Sequence, residues 1–133
     1  NLSKNSLCYN GDIFSIRKYQ EIVEQFPMIG SIMLGRGMLV NPGLIVQIKT
    51  GKKVEIPTLR RFHDCIYSEY KETLYGDLPV LYKKELWFYM SKLFLDCDKL
   101  AKKIRKTNKL AEYDSTVDMI FASKELYEGR IEL

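Results

Sequence analysis

The sequence predicts a mostly α-helical protein with a small α/β part at its start. Up to about residue 54, glycines are frequent and short apolar runs alternate with turn residues. Beyond that point glycine is rare, and apolar residues recur at the three- and four-residue spacing of amphipathic helices. The pattern changes at residues 52–57, so we expect two domains, residues 1–54 and 55–133.

The first domain is expected to alternate strands with helices. Short apolar runs predict strands at residues 6–9 and 31–34, and Ser15 is placed to cap a helix that ends near residue 26. A second helix is expected from the Asn-Pro pair at residues 41–42 to about residue 51. The order strand, helix, strand, helix is typical of parallel β/α units.

The second domain is expected to be a bundle of four helices. Helical spacing of the apolar residues predicts them at about residues 59–74, 79–94, 99–107 and 115–127. The connections between them are short, which favours antiparallel neighbours.

The composition excludes several classes of protein. Charged residues interrupt every apolar run before it reaches the roughly 18 to 20 residues that cross a bilayer, so we expect no membrane span. The widely spaced Cys8, Cys65 and Cys97 form no CxxC pair, so neither a disulfide framework nor a zinc site is indicated. These features suit a cytoplasmic protein. No leader follows Asn1, and we expect the chain to be a fragment.

Two glycine-containing motifs follow the two predicted strands. Asn10, Gly11 and Asp12 come after the first strand, and Gly35 with Arg36 comes after the second. Ligands of β/α proteins bind at this end of the strands, where glycine lets the backbone approach a phosphate and arginine adds a forked donor. The Asn-Gly pair is also the favoured turn of a β-hairpin, and the motifs leave both interpretations open.

Taken together, the motifs resemble those of a known family. Asn-Gly-Asp-Ile-Phe-Ser at 10–15, Ile-Met-Leu-Gly-Arg-Gly at 32–37 and Asn-Pro at 41–42 resemble the seventh and eighth strands of the tRNA-dihydrouridine synthases. The tail is similar to the C-terminal helical domain of that family, though less closely, at His63, Tyr75-Gly76, Lys83-Lys84 and Phe88-Tyr89. The departures are Gly43 in place of an aromatic residue and Glu85 in place of histidine.

The resemblance implies the last two β/α units of a TIM barrel followed by a helical tRNA-binding domain. It implies the C-terminal portion of an enzyme that uses FMN to reduce uridine in tRNA to 5,6-dihydrouridine. NADPH then re-reduces the FMN. The matching positions imply that Asn10, Gly11, Asp12, Gly35 and Arg36 hold the FMN phosphate. With only two of the eight barrel strands visible, the chain alone is expected to be inactive.

The helical tail carries the candidate RNA contacts. One group is the lysine pair at 83–84. The other is a run of cations with no acid between residues 99 and 109: Lys99, Lys102, Lys103, Arg105, Lys106 and Lys109. Of these, Lys83, Lys84, Lys99, Lys102, Lys103, Arg105 and Lys106 are predicted to contact RNA. Such a ridge would contact phosphate, but the same charges also describe a solvated helix face, and the sequence leaves both open.

Other side chains favour structural interpretations. Cys8 is expected to be a small buried residue, His63 a structural one, and Trp87 part of a core or docking face. Strands without partners predict self-association through the first domain. Two rival functions stay open: another FMN-dependent barrel oxidoreductase acting on a metabolite, and a non-catalytic basic helical module that binds RNA or protein.

Overall fold

The computed structural model of the chain describes residues 5–73 and 84–133. The chain forms two compact units, Asn1–Val54 and Glu55–Leu133. Helices dominate, and the strands of the described residues form one small parallel sheet. The predicted mostly helical class with a small α/β part is confirmed.

Unit 1 alternates strands and helices along its length. Its elements are β1 at Cys8–Asn10, α1 at Ile16–Gln25, β2 at Ser31–Met33, α2 at Gly35–Val40 and α3 at Leu44–Thr50.

The two strands of unit 1 are parallel neighbours. Cys8 lies opposite Ser31, and Asn10 lies opposite Met33. α1 crosses between them, so a β/α unit forms and the hairpin alternative at Asn10-Gly11 does not. Ser15 begins α1 as predicted, because its hydroxyl accepts a hydrogen bond from the Lys18 amide at 3.2 Å.

The last predicted helix of unit 1 forms and ends as expected, but its predicted start is wrong. We expected one helix from residue 41 to 51, but the chain forms α2 first and begins α3 only at Leu44. Asn41 does not cap α3, because its side-chain oxygen accepts from the Gly43 amide at 2.9 Å and closes a turn between the two helices. Gly51, with φ of 74°, ends α3 in the left-handed region as the sequence predicted.

Unit 2 contains four helices among its described residues. They are α4 at Ile56–Thr73, α5 at Glu85–Met90, α6 at Asp98–Lys106 and α7 at Leu110–Ser123, and a 3-10 turn at Ser91–Leu93 follows α5. The predicted start of the second helix, at residue 79, lies outside the described residues, as do Tyr75 and Gly76.

The last helix is placed differently from the prediction of residues 115–127. α7 begins at Leu110, because Glu112 in its first turn accepts from the Thr107 hydroxyl at 2.9 Å and anchors the start. It ends at Ser123, because the next residues pair with another segment: the Leu95 amide donates to Glu125, and the Tyr127 amide donates to Leu93, both at 2.7 Å. Tertiary pairing overrides the helical pattern there.

The core of unit 2 is aromatic and aliphatic. Trp87 is fully buried, and its ring lies edge-on to Phe121 with centroids 5.7 Å apart. The ring centroid of Phe94 also lies 5.7 Å from that of Phe121. Aliphatic side chains from all four helices complete this core: Leu59, Met90, Ile104, Val117 and Ile120.

Candidate functional site

The residues predicted to hold a phosphate lie at one edge of the sheet in unit 1. Because β1 and β2 are parallel and in register, the segments that follow Asn10 and Met33 leave the sheet at the same end. Ligands of β/α proteins bind at this carboxyl edge. The fold therefore brings together the first motif, at residues 10–12, and the second, at residues 35–36.

A bidentate ion pair joins the two motifs. Nε of Arg36 donates to Oδ1 of Asp12 at 3.0 Å, and Nη2 donates to Oδ2 at 2.7 Å. The two side chains are 54% and 42% exposed, so the pair stabilises the fold by at most about 1 kcal/mol. Asp12 leaves both N–H groups of Nη1 free to meet another acceptor. Opposite charges in two separate motifs were the only sign of this pair in the sequence.

Two glycines shape the surface beside this pair. A Cβ atom at Gly37 would collide with the carbonyl oxygen of Ile13, so glycine is required where α2 crosses the first motif. A Cβ at Gly35 would meet nothing within 4 Å, so the backbone there faces open space. We had not placed Gly37 among the site residues, although the Gly-Arg-Gly string contains it.

These features suit a phosphate ligand. Open space at Gly35 lets an anion reach backbone N–H groups, and the guanidinium of Arg36 is held beside it by Asp12. The Asp12 side chain is an acceptor only, so it serves Arg36 and cannot itself bind a phosphate oxygen.

The second candidate surface is the outer side of α6. Ala101 and Ile104 turn inward and are buried, while every lysine and arginine of the predicted ridge is exposed. None of these cations forms an ion pair with another residue of the described ranges: Lys99, Lys102, Lys103, Arg105, Lys106 and, just beyond the helix, Lys109. We call the five within α6 the basic face.

The Lys83-Lys84 pair is placed only in part. Lys83 lies outside the described residues. Nζ of Lys84 donates to the backbone carbonyls of Arg105 at 3.1 Å and Thr107 at 2.5 Å. Its ammonium therefore sits at the C-terminal end of α6.

A buried chain of hydrogen bonds surrounds His63. Nε1 of Trp87 donates to the Tyr113 hydroxyl at 3.0 Å, and that hydroxyl lies 2.9 Å from Nε2 of His63. Nδ1 of His63 lies 2.9 Å from Oδ1 of Asp64. Since the Asp64 carboxylate can only accept, Nδ1 of His63 carries the ring proton and donates to it; Nε2 of the neutral ring then accepts from the Tyr113 hydroxyl. Burial lowers the pKa of His63, which favours this neutral ring.

This network answers two predictions about the helical tail. His63 is 4% exposed and Trp87 is 0% exposed, so both are structural as expected, and the Trp87 ring is closed to a nucleobase. Burial also raises the pKa of Tyr113 to about 12. Cys8, by contrast, is exposed, and the expectation of a buried thiol was wrong because the two-stranded sheet leaves β1 largely uncovered.

Two negative findings concern the described ranges, residues 5–73 and 84–133. They contain no group of three or more His, Cys, Asp or Glu residues that could hold a metal ion. No helix in them is both long and apolar enough to cross a membrane.

Comparison with known proteins identifies the family. The family model described as dihydrouridine synthase matches residues 1–123. No curated protein and no solved structure matches the chain significantly. The family implies a flavin-dependent oxidoreductase that acts on tRNA. Since the match spans most of the 133 residues, the chain belongs to the dihydrouridine synthase family.

Proposed function

We propose that this chain is the portion of a tRNA-dihydrouridine synthase that holds the FMN phosphate and binds tRNA. The observation that carries the proposal is the junction of Asp12 with Arg36, which unites two motifs of a family-matched segment at one sheet edge. In this proposal unit 1 is the end of a TIM barrel and unit 2 is the RNA-binding domain.

Unit 1 would hold the phosphate through main-chain and side-chain donors. We place the phosphate against the backbone N–H groups of Asn10, Gly11 and Gly35, of which Gly35 faces open space. Arg36 offers the two N–H groups of Nη1 that Asp12 leaves free. When bound, FMN that NADPH has reduced would supply the hydride for reduction of the uracil ring. Asp12 contributes by holding Arg36 in place.

The test uses phosphate, because a two-stranded sheet offers the flavin ring no closed barrel and we expect no tight flavin binding by the chain alone. Inorganic phosphate is titrated into the ¹⁵N-labelled chain. The amides of Gly11, Gly35, Arg36 and Gly37 should shift first, and Arg36→Gln should weaken the response. Arg17→Gln is the matched control, since Arg17 lies exposed on α1 in a surface pair with Glu21.

Shifts that scatter over the chain, or that survive Arg36→Gln unchanged, would refute the proposed phosphate site. They would leave the family match as the remaining support for a flavin enzyme over a non-catalytic helical module.

Unit 2 would bind tRNA through the basic face of α6. Its exposed cations have no acidic partner among the described residues, so their charge is available to backbone phosphates. This observation favours an RNA substrate over a small metabolite, because a metabolite enzyme has no use for such a face.

We also propose that the chain alone does not reduce uridine and that it acts in the cytoplasm. The described residues supply two strands where a TIM barrel uses eight. Three free cysteines, Cys8, Cys65 and Cys97, suit a reducing compartment that also holds tRNA.

Self-association through unit 1 is a further part of the proposal. A groove of about 480 Å³ lies between α1, β2 and α3 and is lined mainly by apolar side chains, including Val23, Phe26 and Ile48. Nearby apolar side chains are also exposed, among them Met33 at 54% and Val46 at 55%. Surfaces of this kind favour pairing with a second copy of the chain.

A further inference from the structure

The lysine that precedes α5 is bonded to the end of a different helix. Nζ of Lys84 reaches the carbonyl oxygens of Arg105 and Thr107, at 3.1 and 2.5 Å. The last carbonyls of a helix lack partners within the helix and carry partial negative charge. An ammonium group satisfies both needs, and two of its three N–H groups are used in doing so.

Thr107 connects this contact to the next helix as well. It is 4% exposed, and its amide donates to the Lys103 carbonyl at 3.0 Å. Its hydroxyl donates to Glu112 in the first turn of α7 at 2.9 Å. Lys84 therefore closes a corner, defined here by Lys84, Thr107 and Glu112, at which α5, α6 and α7 meet.

The corner lies at the end of the basic face. Lys103, Arg105 and Lys106 occupy the last turn of α6, and all three side chains point to solvent. The direction in which they point depends on the last turn staying helical. That turn has no other side-chain donor to its final carbonyls in the described part of the chain.

We propose that Lys84 is a positioning residue for RNA: it fixes the last turn of α6 so that the basic face meets phosphates together, and it does not itself contact RNA. The inference rests on the proposed binding of tRNA by α6. It reassigns Lys84, which the sequence grouped with the direct contacts.

The test compares Lys84→Met with Lys102→Met in the full 133-residue chain. Lys102 is exposed on the basic face and has no partner among the described residues, so it serves as the direct-contact control. Two quantities are measured: the amide hydrogen exchange of Arg105, Lys106 and Thr107, and the affinity for a labelled, unmodified tRNA transcript between about 50 and 200 mM KCl.

A positioning role predicts a distinct pattern for each variant. Lys84→Met should speed amide exchange in the last turn about tenfold, as expected for lost hydrogen bonds to a charged group. It should weaken RNA binding several-fold and leave the salt dependence of that binding unchanged. Lys102→Met should leave exchange unchanged and make the slope shallower by about 0.7 to 0.9. Lys103→Met should cost less affinity in the Lys84→Met background than alone.

Two outcomes would overturn the inference while leaving the proposed function standing. Unchanged exchange with a shallower slope in Lys84→Met would make Lys84 a direct contact. Faster exchange with unchanged affinity would make the corner purely structural. If the unaltered chain shows no salt-dependent binding, the proposed RNA contact fails and this inference fails with it.

Discussion

The hydroxyl of Tyr113 lies 2.9 Å from Nε2 of His63 and links it to Nε1 of Trp87, so three polar groups from three helices satisfy one another inside an aromatic core. No buried side-chain nitrogen or oxygen in the described residues lacks a hydrogen-bond partner. The polar groups of this core therefore stabilise it only as a complete set.

The buried histidine makes the stability of unit 2 depend on pH. Because burial lowers the pKa of His63 in the folded chain, the unfolded chain binds a proton near pH 6.5 and below while the folded chain does not. Stability should therefore fall as the pH drops from 7 to 5.5, by at most about 1.4 kcal/mol per pH unit. Urea unfolding followed by the fluorescence of Trp87, the single tryptophan, measures it.

His63→Gln supplies the control for that experiment. The variant has no imidazole, so its urea midpoint should stay level over the same pH range. Parallel curves for the two proteins would assign the pH dependence to another group.

Removing the Tyr113 hydroxyl should be costly. Tyr113→Phe leaves the Trp87 N–H and Nε2 of His63 without a partner in the core, and the expected loss of stability is about 1 to 3 kcal/mol. Tyr67→Phe is the comparison, since its hydroxyl donates to Asp114 at 2.6 Å on the exposed side and its loss should cost about 1 kcal/mol or less. Equal losses would argue against the buried network.

The residues after α7 should stabilise unit 2 although the family match ends at residue 123. Deleting residues 124–133 removes the two backbone bonds to Leu93 and Leu95 and uncovers Phe94, which is 4% exposed. We expect a loss of about 2 kcal/mol or more by urea unfolding. Deleting only residues 129–133, which lie beyond the pairing, should change the midpoint little.

Substitution at the two glycines of α2 should give opposite results. Gly37→Ala places a methyl group against the Ile13 carbonyl and should destabilise unit 1, seen as faster amide exchange in β1 and β2. Gly35→Ala meets open space and should stabilise α2 by up to about 1 kcal/mol through better helix propensity. Equal effects would mean that α2 does not lie against the first motif.

The self-association of unit 1 is tested by light scattering across a range of concentrations. The mean mass should rise with concentration, and Val46→Glu should reduce the rise because it places a charge among exposed apolar side chains. Lys52→Glu, at another exposed position, is the control for charge alone. A constant monomer mass would refute the proposal.

Local signals in the sequence were sufficient for several elements. The caps at Ser15, which begins α1, and at Gly51, which ends α3, were predictable because a cap depends on one residue and its immediate neighbours. The parallel β/α order followed from alternating patterns. The family resemblance rested on short strings, and the match over residues 1–123 confirms it.

Other features depend on contacts that a linear pattern does not contain. α2 carries two glycines, and its helix was not predicted because Gly37 is favoured by close packing on Ile13 and not by helix propensity. The buried residues of α4 are Leu59 and His63, four positions apart, while Cys65 on the same helix is exposed. The partners of Arg36 and Lys84 are distant in sequence, so charge alone could not assign them.

The compensation of Arg36 by Asp12 distinguishes the proposed phosphate site of unit 1 from the proposed RNA-binding face of unit 2. At a distance of several ångströms the pair is electrically neutral, so it attracts an anion only on direct contact. Dissolved salt should therefore affect binding of an anion there little. The lysines of α6 pair with no acid in residues 5–73 and 84–133, and their field extends over about a Debye length, roughly 8 Å at physiological ionic strength. Raising the ionic strength should therefore release a polyanion from unit 2 well before it disturbs a small dianion on unit 1.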